Sequence, residues 1–410
     1  MAEENININE DNDELSVSIN MIVPVGISDT LIEKHYETGR LRVVQERNDI
    51  FLTHVLSFIS KDSKNKIWSN IRPEYQRRLR WDNRKKSQLI ESFIMNIPVP
   101  PIFLYEKTLG NFEVMDGQQR LNAISSFYEG EFPLQGLKIW QALNGKTYSQ
   151  LPPLIRRGLD RAKISAITLM SDNSTSIEDS IDLRAQVFDR LNTGGEKLNA
   201  QELRNALYAG PFNELMIELS RDKVFSQAWE IPAYEENLRA DGSVSELLEK
   251  NTLYKRMSDV EIVIRFFAFN NPEVISGSVR NMLDETLKRN RHCSEIELDE
   301  YRKGFNACIR LCLDVYKEDA FRLPKPNSKS RSDSILSRPL FDAQMIGMYL
   351  NINHKDKILA KALEIKDRMS LLTRPGGENY DLMVGRANTS SSIKERIYAV
   401  ANMVNEVIND

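Results

Sequence analysis

The residues of this chain best placed to do chemistry are Asp116-Gly117-Gln118-Gln119-Arg120, a run of polar side chains following the apolar stretch Phe112-Glu-Val-Met115. The spacing predicts a strand that turns directly into a helix. Backbone N–H groups at the first turn of such a helix, with the positive end of its dipole, attract anions, and Arg120 on that turn adds a bidentate donor suited to phosphate. Asp116 fits two roles. As a helix N-cap, with Gln119 three residues on, it completes a capping-box pattern; as an indirect metal ligand, it approaches phosphates through Mg²⁺, because a bare carboxylate would repel them. Arg120 as a structural ion pair is the rival to Arg120 as a phosphate clamp, and the attraction of a helix start for anions favours the clamp.

The elements that must hold this turn are readable on either side of it. Apolar spacing between residues 31 and 60 predicts one or two helices, the clearer over 49–59. Pro73 then breaks the helical pattern and predicts an extended segment. Asp82 supplies an N-cap for a helix carrying Leu89, Ile90, Phe93, Ile94 and Ile97, which Pro98 stops. Pro98-Val-Pro-Pro101 is rigid and extended, and residues 102–105 and 112–115 form a predicted hairpin. Leu121, Ile124 and Tyr128 mark one face of the helix after the turn. A helix over 151–161, a strand over 164–170 and an amphipathic helix over 177–191 follow, the last ending at Asn192-Thr193-Gly194-Gly195. A glycine there serves as a helix C-terminal cap, and the pair also suits a backbone nest for a ligand. Asn199 and Glu202 form a capping box opening a helix over 200–208. Beyond residue 210 the pattern is helical, apart from a Pro-, Ser- and Lys-rich stretch over 322–338 read as an exposed loop.

Composition narrows the classes. The 410 residues point to more than one domain, and 41% hydrophobic with 28% charged content is globular. No apolar run reaches the roughly 18 residues a membrane span requires. Residues 1–30 read as an acidic, Asn-rich tail without the features of a secretory signal, so a cytoplasmic location is expected. Cys293, Cys308 and Cys312 read as reduced thiols, and Phe305, Cys308, Cys312 and Val315 fall on one apolar helix face, favouring core cysteine over a zinc site. The formal net charge is −4, yet seven cations, Arg72, Arg77, Arg78, Arg80, Arg84, Lys85 and Lys86, stand against Glu74 and Asp82 between residues 71 and 90. Such a stretch is either a phosphate footprint or a solvated helix face. Gly145-Lys-Thr147 is not a Walker A end, since Trp140 occupies the position of its first glycine.

Taken in order, Tyr75-Gln76-Arg77, Trp81, Leu89-Ile-Glu-Ser92, Ile97-Pro-Val-Pro-Pro-Ile102, Val114-Met-Asp-Gly-Gln-Gln-Arg-Leu121, Phe188-Asp-Arg-Leu-Asn-Thr-Gly-Gly195 and Leu198-Asn-Ala-Gln-Glu-Leu-Arg-Asn-Ala-Leu207 resemble the N-terminal domain of GmrSD-type modification-dependent restriction systems. The blocks span about residues 70 to 210. The resemblance implies an α+β protein, with a ParB/sulfiredoxin-like nucleotide-binding domain over 31–210 and an all-helical domain over 211–410. It implies NTP binding and hydrolysis, with Mg²⁺ arriving on the nucleotide, in a DNA-targeting antiphage or restriction-type defence system. Asp116 and Arg120 would be catalytic. Gln76, Arg77, Gly117, Gln118, Gln119, Arg120, Asn192, Thr193 and Gly194 would contact the nucleotide, with no resident metal site. DNA and a separate nuclease subunit are the partners implied, since His292 and His354 lack the neighbours of an HNH nuclease module. Two rival readings share the residues: a DNA-binding or DNA-nicking module that takes a backbone phosphate in the same pocket, and a non-catalytic regulator.

Overall fold

The computed structural model describes residues 28–38, 43–59, 81–108, 111–171, 199–208, 210–239, 244–324 and 334–409. Contacts divide the chain into two compact units, Met1–Leu198 and Asn199–Asp410. The architecture is α+β, with a small mixed sheet in the first unit and helices in the second.

In unit 1 the elements are α1 (Asp29–Thr38), β1 (Val43–Phe51), α2 (Leu52–Ile59), α3 (Asn83–Ile94), β2 (Ile102–Thr108), β3 (Asn111–Asp116), α4 (Gln118–Tyr128), α5 (Pro153–Arg161) and β4 (Lys163–Ser171). The sheet order is β1-β4-β2-β3. The expected hairpin is present, β2 and β3 pairing antiparallel. β4, the expected strand near 164–170, sits inside the sheet, antiparallel to β1 and parallel to β2. Its central place explains the near-continuous apolar run of Ile164, Ala166, Leu169 and Met170.

One expectation is corrected at the start of this sheet. The helix read over 49–59 begins only at Leu52, because residues 49–51 complete β1, where Asp49, Ile50 and Phe51 pair with Ser165, Ile164 and Lys163. β1 is mostly polar and exposed along Gln45-Glu-Arg-Asn-Asp49, so its sequence lacks the alternation that announces a half-buried strand. Its pairing with β4 is a tertiary decision.

α2, α3 and α4 pack together around a core that includes Leu52, Val55, Leu89, Ile90, Leu121, Ile124 and Phe127. Asp82 caps α3 as expected, accepting the Lys85 N–H at 2.7 Å. The loop after α4 lies along α3: the Gln135 N–H donates to Ser87 Oγ, and the N–H groups of Ile139 and Trp140 donate to Glu91 Oε1 at 2.9 Å each.

Unit 2 opens with α6 (Ala200–Leu207) and continues through α7 (Pro211–Arg221), α8 (Ser258–Phe269), α9 (Val279–Arg289), α10 (Glu295–Tyr316), the short strands β5 (Arg322–Pro324) and β6 (Ser334–Leu336), α11 (Arg338–Leu350) and α12 (Ser390–Asn409), with shorter helices between. The Asn199/Glu202 capping box is present in both directions. Phe305, Cys308, Cys312 and Val315 are buried on α10, and burial pushes the Cys312 thiol well above the usual cysteine range, as befits core cysteine. The exposed loop expected over 322–338 is corrected at its ends: β5 and β6 form an antiparallel pair and Leu323 is buried. Pro324 stands at the end of β5, where the lost N–H costs least.

Two buried arginines of unit 2 are paired with carboxylates. Asp342, fully buried on α11, receives both Nε and Nη2 of Arg265 on α8. Arg204 on α6 reaches Asp284 on α9 at 2.6 Å and Glu261 on α8 at 3.3 Å. Removing one partner of such a pair strands a charge in a medium of low polarizability. Three C-terminal cations are also engaged within unit 2. Arg386 pairs with Asp381, Lys394 donates to the Glu273 carbonyl, and Arg396 is fully buried beside Gly385, donating to the Leu382 carbonyl. Thr389 accepts the Ser392 N–H and so caps α12.

Candidate phosphate site at the strand to helix turn

The turn from β3 to α4 is made by Gly117, whose φ of +97° lies in the left-handed region that residues with a Cβ rarely adopt. A Cβ there would also collide with the Ile102 side chain on β2. Two constraints therefore select glycine at one position: the backbone torsion and the close approach of the neighbouring strand.

The helix cap differs from expectation. Gly117, not Asp116, is the N-cap, and no side chain caps the first turn of α4. The left-handed residue turns the chain after Asp116, and the Asp116 carboxylate instead receives Arg120 Nη2 at 2.7 Å, one helical turn on. The same Nη2 donates to the Pro101 carbonyl at 3.1 Å. The rigid Pro98-Val-Pro-Pro101 segment thus orients the guanidinium. Gln119 turns the other way, its Oε1 accepting the Trp81 N–H at 3.0 Å and tying the approach to α3 to this turn.

Three polar atoms are left over. Gln118 Nε2, Arg120 Nε and Asn122 Oδ1 are shielded from solvent without a hydrogen-bond partner. An orphaned buried donor or acceptor costs about 1–3 kcal/mol, so three within five residues of one helix mark a place where a ligand would complete the bonding. Asn122 was not among the residues singled out from sequence. It stands four residues after Gln118, on the same face of α4.

The structure brings Asp116, Gly117, Gln118, Gln119 and Arg120 together. Gln76, Arg77, Asn192, Thr193 and Gly194 lie outside the described residues, as do Arg72, Arg78 and Arg80 of the cationic stretch. Its remaining members do not share one face. Arg84 and Lys85 are exposed, whereas Lys86 is buried, with Nζ 3.4 Å from Ser126 Oγ and 5.3 Å above the Phe132 ring. Sequence reasoning also assigned no role to Glu91. Burial opposes its charge, but backbone N–H groups of Trp140, Ile139 and Lys138, and the Lys138 ammonium, outweigh that and hold its carboxyl below the usual glutamate range. The available signal was a carboxylate inside the apolar run Leu89, Ile90, Phe93, Ile94. Tyr148 donates to Asp160 at 2.7 Å and its ring stacks near Tyr128; burial, followed by that bond, pushes the Tyr148 phenol up to about 12.

A mixed sheet whose edge hairpin runs through a left-handed glycine into a helix that no side chain caps defines an α+β domain. The model of the GmrSD restriction endonuclease N-terminal domain matches residues 55–209, so this stretch of the chain is a GmrSD N-terminal domain, a mark of restriction-type defence proteins. No curated protein and no solved structure matches the chain. The matched segment ends within unit 2: α6, its last helix, packs against α8 and α9. Among the described residues no group of three or more His, Cys, Asp or Glu side chains could hold a metal, and no helix is long and apolar enough to cross a membrane.

Proposed function

We propose that the β3–α4 turn binds the phosphates of a nucleoside triphosphate and promotes their hydrolysis, as part of a DNA-targeting, restriction-type defence protein. The observation that carries this reading is the set of buried, unpartnered donors, Gln118 Nε2 and Arg120 Nε, at the start of a helix that no side chain caps. A phosphate accepts both and meets the positive helix end. Arg120 already spends Nη2 on Asp116 and Pro101, which fixes the plane of the guanidinium before the ligand arrives.

Asp116 is 38% exposed at its side chain, so it is open to a phosphate-borne Mg²⁺ or to an attacking water. Such an ion keeps several waters and takes one or two carboxylates, and a lone Asp116 fits that demand. When bound with the nucleotide, Mg²⁺ would supply charge neutralisation at the transferring phosphoryl group. Asp116 would hold it or orient water, and Arg120 would neutralise developing charge.

The test is NTP binding and phosphate release for the full-length protein, the four common NTPs assayed separately with Mg²⁺. Arg120→Ala and Asp116→Asn are expected to lose turnover, with Arg120→Ala also losing affinity. Wild-type protein that binds no NTP would refute the reading. The rival, a DNA-backbone phosphate in the same turn, would show instead as DNA affinity lost in Arg120→Ala without any NTP response.

A further inference from the structure

The sheet of unit 1 ends on one side in β1, and no described strand pairs with the outer edge of that strand. We propose that this edge takes up β1 of a second copy of the chain, antiparallel, with the two-fold axis at Asn48. β1 runs for nine residues, Val43–Phe51, in unbroken register with β4, and it contains no proline. Bare edge strands are commonly kept short, bulged, broken by proline or covered. β1 has none of these protections, and Gln45, Glu46, Arg47, Asn48 and Asp49 are all exposed. What it carries is charge of both signs.

Backbone geometry decides which residues would meet. Beyond Phe51 the register with β4 continues to Leu52, whose N–H donates to the Ala162 carbonyl at 3.0 Å. Opposed residues of an antiparallel ladder alternate between exchanging hydrogen bonds and not, so the even-numbered residues of β1 spend their N–H and C=O groups on β4. Gln45, Arg47, Asp49 and Phe51 turn theirs to the free edge. With the axis at Asn48, Arg47 of each copy stands opposite Asp49 of the other and exchanges backbone bonds with it, while Gln45 stands opposite Phe51. An axis at Glu46, Arg47 or Asp49 instead opposes that residue to its own copy, and like charges directly opposed destabilise a strand pair. Asp49 is also held in position, since its Oδ1 accepts the Ser165 hydroxyl at 2.8 Å from the neighbouring strand. A strand of another protein would need the matching charges by coincidence; a second copy supplies them by symmetry. A lone strand pair buries less than the roughly 1,200 Å² of a standard interface, so the association is expected to depend on concentration.

The experiment is sedimentation velocity of the full-length protein over a concentration series, without nucleotide or DNA. Wild type is expected to pass from monomer to dimer. Arg47→Asp and Asp49→Arg each set like charges opposite one another twice per dimer and should weaken it at least about tenfold, whereas the double variant Arg47→Asp/Asp49→Arg restores both pairs and should associate as wild type does. Asn48→Cys reads the register. At that non-hydrogen-bonded position on the axis the two Cα atoms lie about 4.5 Å apart, within disulfide reach, so the variant should cross-link to a covalent dimer on mild oxidation. Gln45→Cys, which faces Phe51 rather than itself, should not cross-link, and neither should wild type, the control for Cys293, Cys308 and Cys312. Every substituted side chain is exposed, and unchanged circular dichroism confirms that the variants fold. A wild type that stays monomeric throughout would overturn the proposal. So would a dimer indifferent to the charge reversals, or one that Asn48→Cys fails to cross-link, since either result assigns the dimer to another surface.

Discussion

The two units differ in where their unpartnered polar atoms fall. Unit 2 pairs two of its buried arginines, Arg265 with Asp342 and Arg204 with Asp284 and Glu261, across helices far apart in sequence, and its unpartnered buried atoms, among them Arg221 Nε, Trp229 Nε1 and Arg396 Nε and Nη2, are scattered along the chain. Unit 1 gathers three, Gln118 Nε2, Arg120 Nε and Asn122 Oδ1, within five residues of one helix. Scattered orphans are the ordinary residue of packing, whereas a cluster at one helix start is where a single ligand can satisfy several at once. The clustering therefore supports the site proposed at the start of α4.

The largest effect expected is in unit 2. Asp342→Ala leaves the Arg265 guanidinium buried with its carboxylate gone, and should cost unit 2 about 3–5 kcal/mol in urea unfolding. A loss below about 1 kcal/mol would erase the distinction between the units. Next comes Gly117→Ala. The left-handed torsion and the collision with Ile102 together should cost unit 1 about 1–3 kcal/mol and abolish NTP binding, while Gly145→Ala, also at positive φ but with open space around it, should leave binding intact. Melting curves and NTP titration of the two variants separate close approach from torsion alone.

Arg120→Ala should behave as a recognition variant does: at least about tenfold weaker NTP binding with stability changed by less than about 1 kcal/mol, since its partner Asp116 is partly exposed. Unfolding titrations run alongside the binding assay check this. The smallest effect concerns acid stability. Glu91 has a lowered folded-state pKa, so its contribution is present above the ordinary glutamate value of 4.5 and is lost as pH falls through the lower folded-state value. Glu91→Gln should therefore flatten the acid limb of the stability profile below pH 4.5 and loosen the 138–140 loop. An unchanged acid limb would show that the loop does not depend on the carboxylate's charge.

Much of the turn was legible in the chain. Polar residues directly after an apolar strand run, with a glycine second among them, predicted the strand-to-helix turn. The cap was misplaced because the choice between Asp116 and Gly117 depends on β2: Ile102 packs against the glycine, and Pro101 accepts from Arg120, so the aspartate faces the guanidinium. β1 was unreadable for a related reason. Its polar residues carry no period, and only pairing with β4 makes them a strand. Asn122 escaped because an amide in a helix signals nothing until its neighbours are known, and the one sign of Glu91 was a carboxylate inside an apolar run.

By itself the amino-acid sequence determined the periodic elements, the hairpin, the N-cap at Asp82, the capping box at Asn199, the buried cysteine face and the family of residues 55–209. These depend on local spacing and backbone chemistry, which a linear chain carries in full. Tertiary structure alone decided which donors end without partners, which cations find carboxylates, and that α6, the last helix of the family segment, packs within unit 2. Those outcomes depend on what lies across space, where the partners of Arg204 and Arg265 are dozens of residues away.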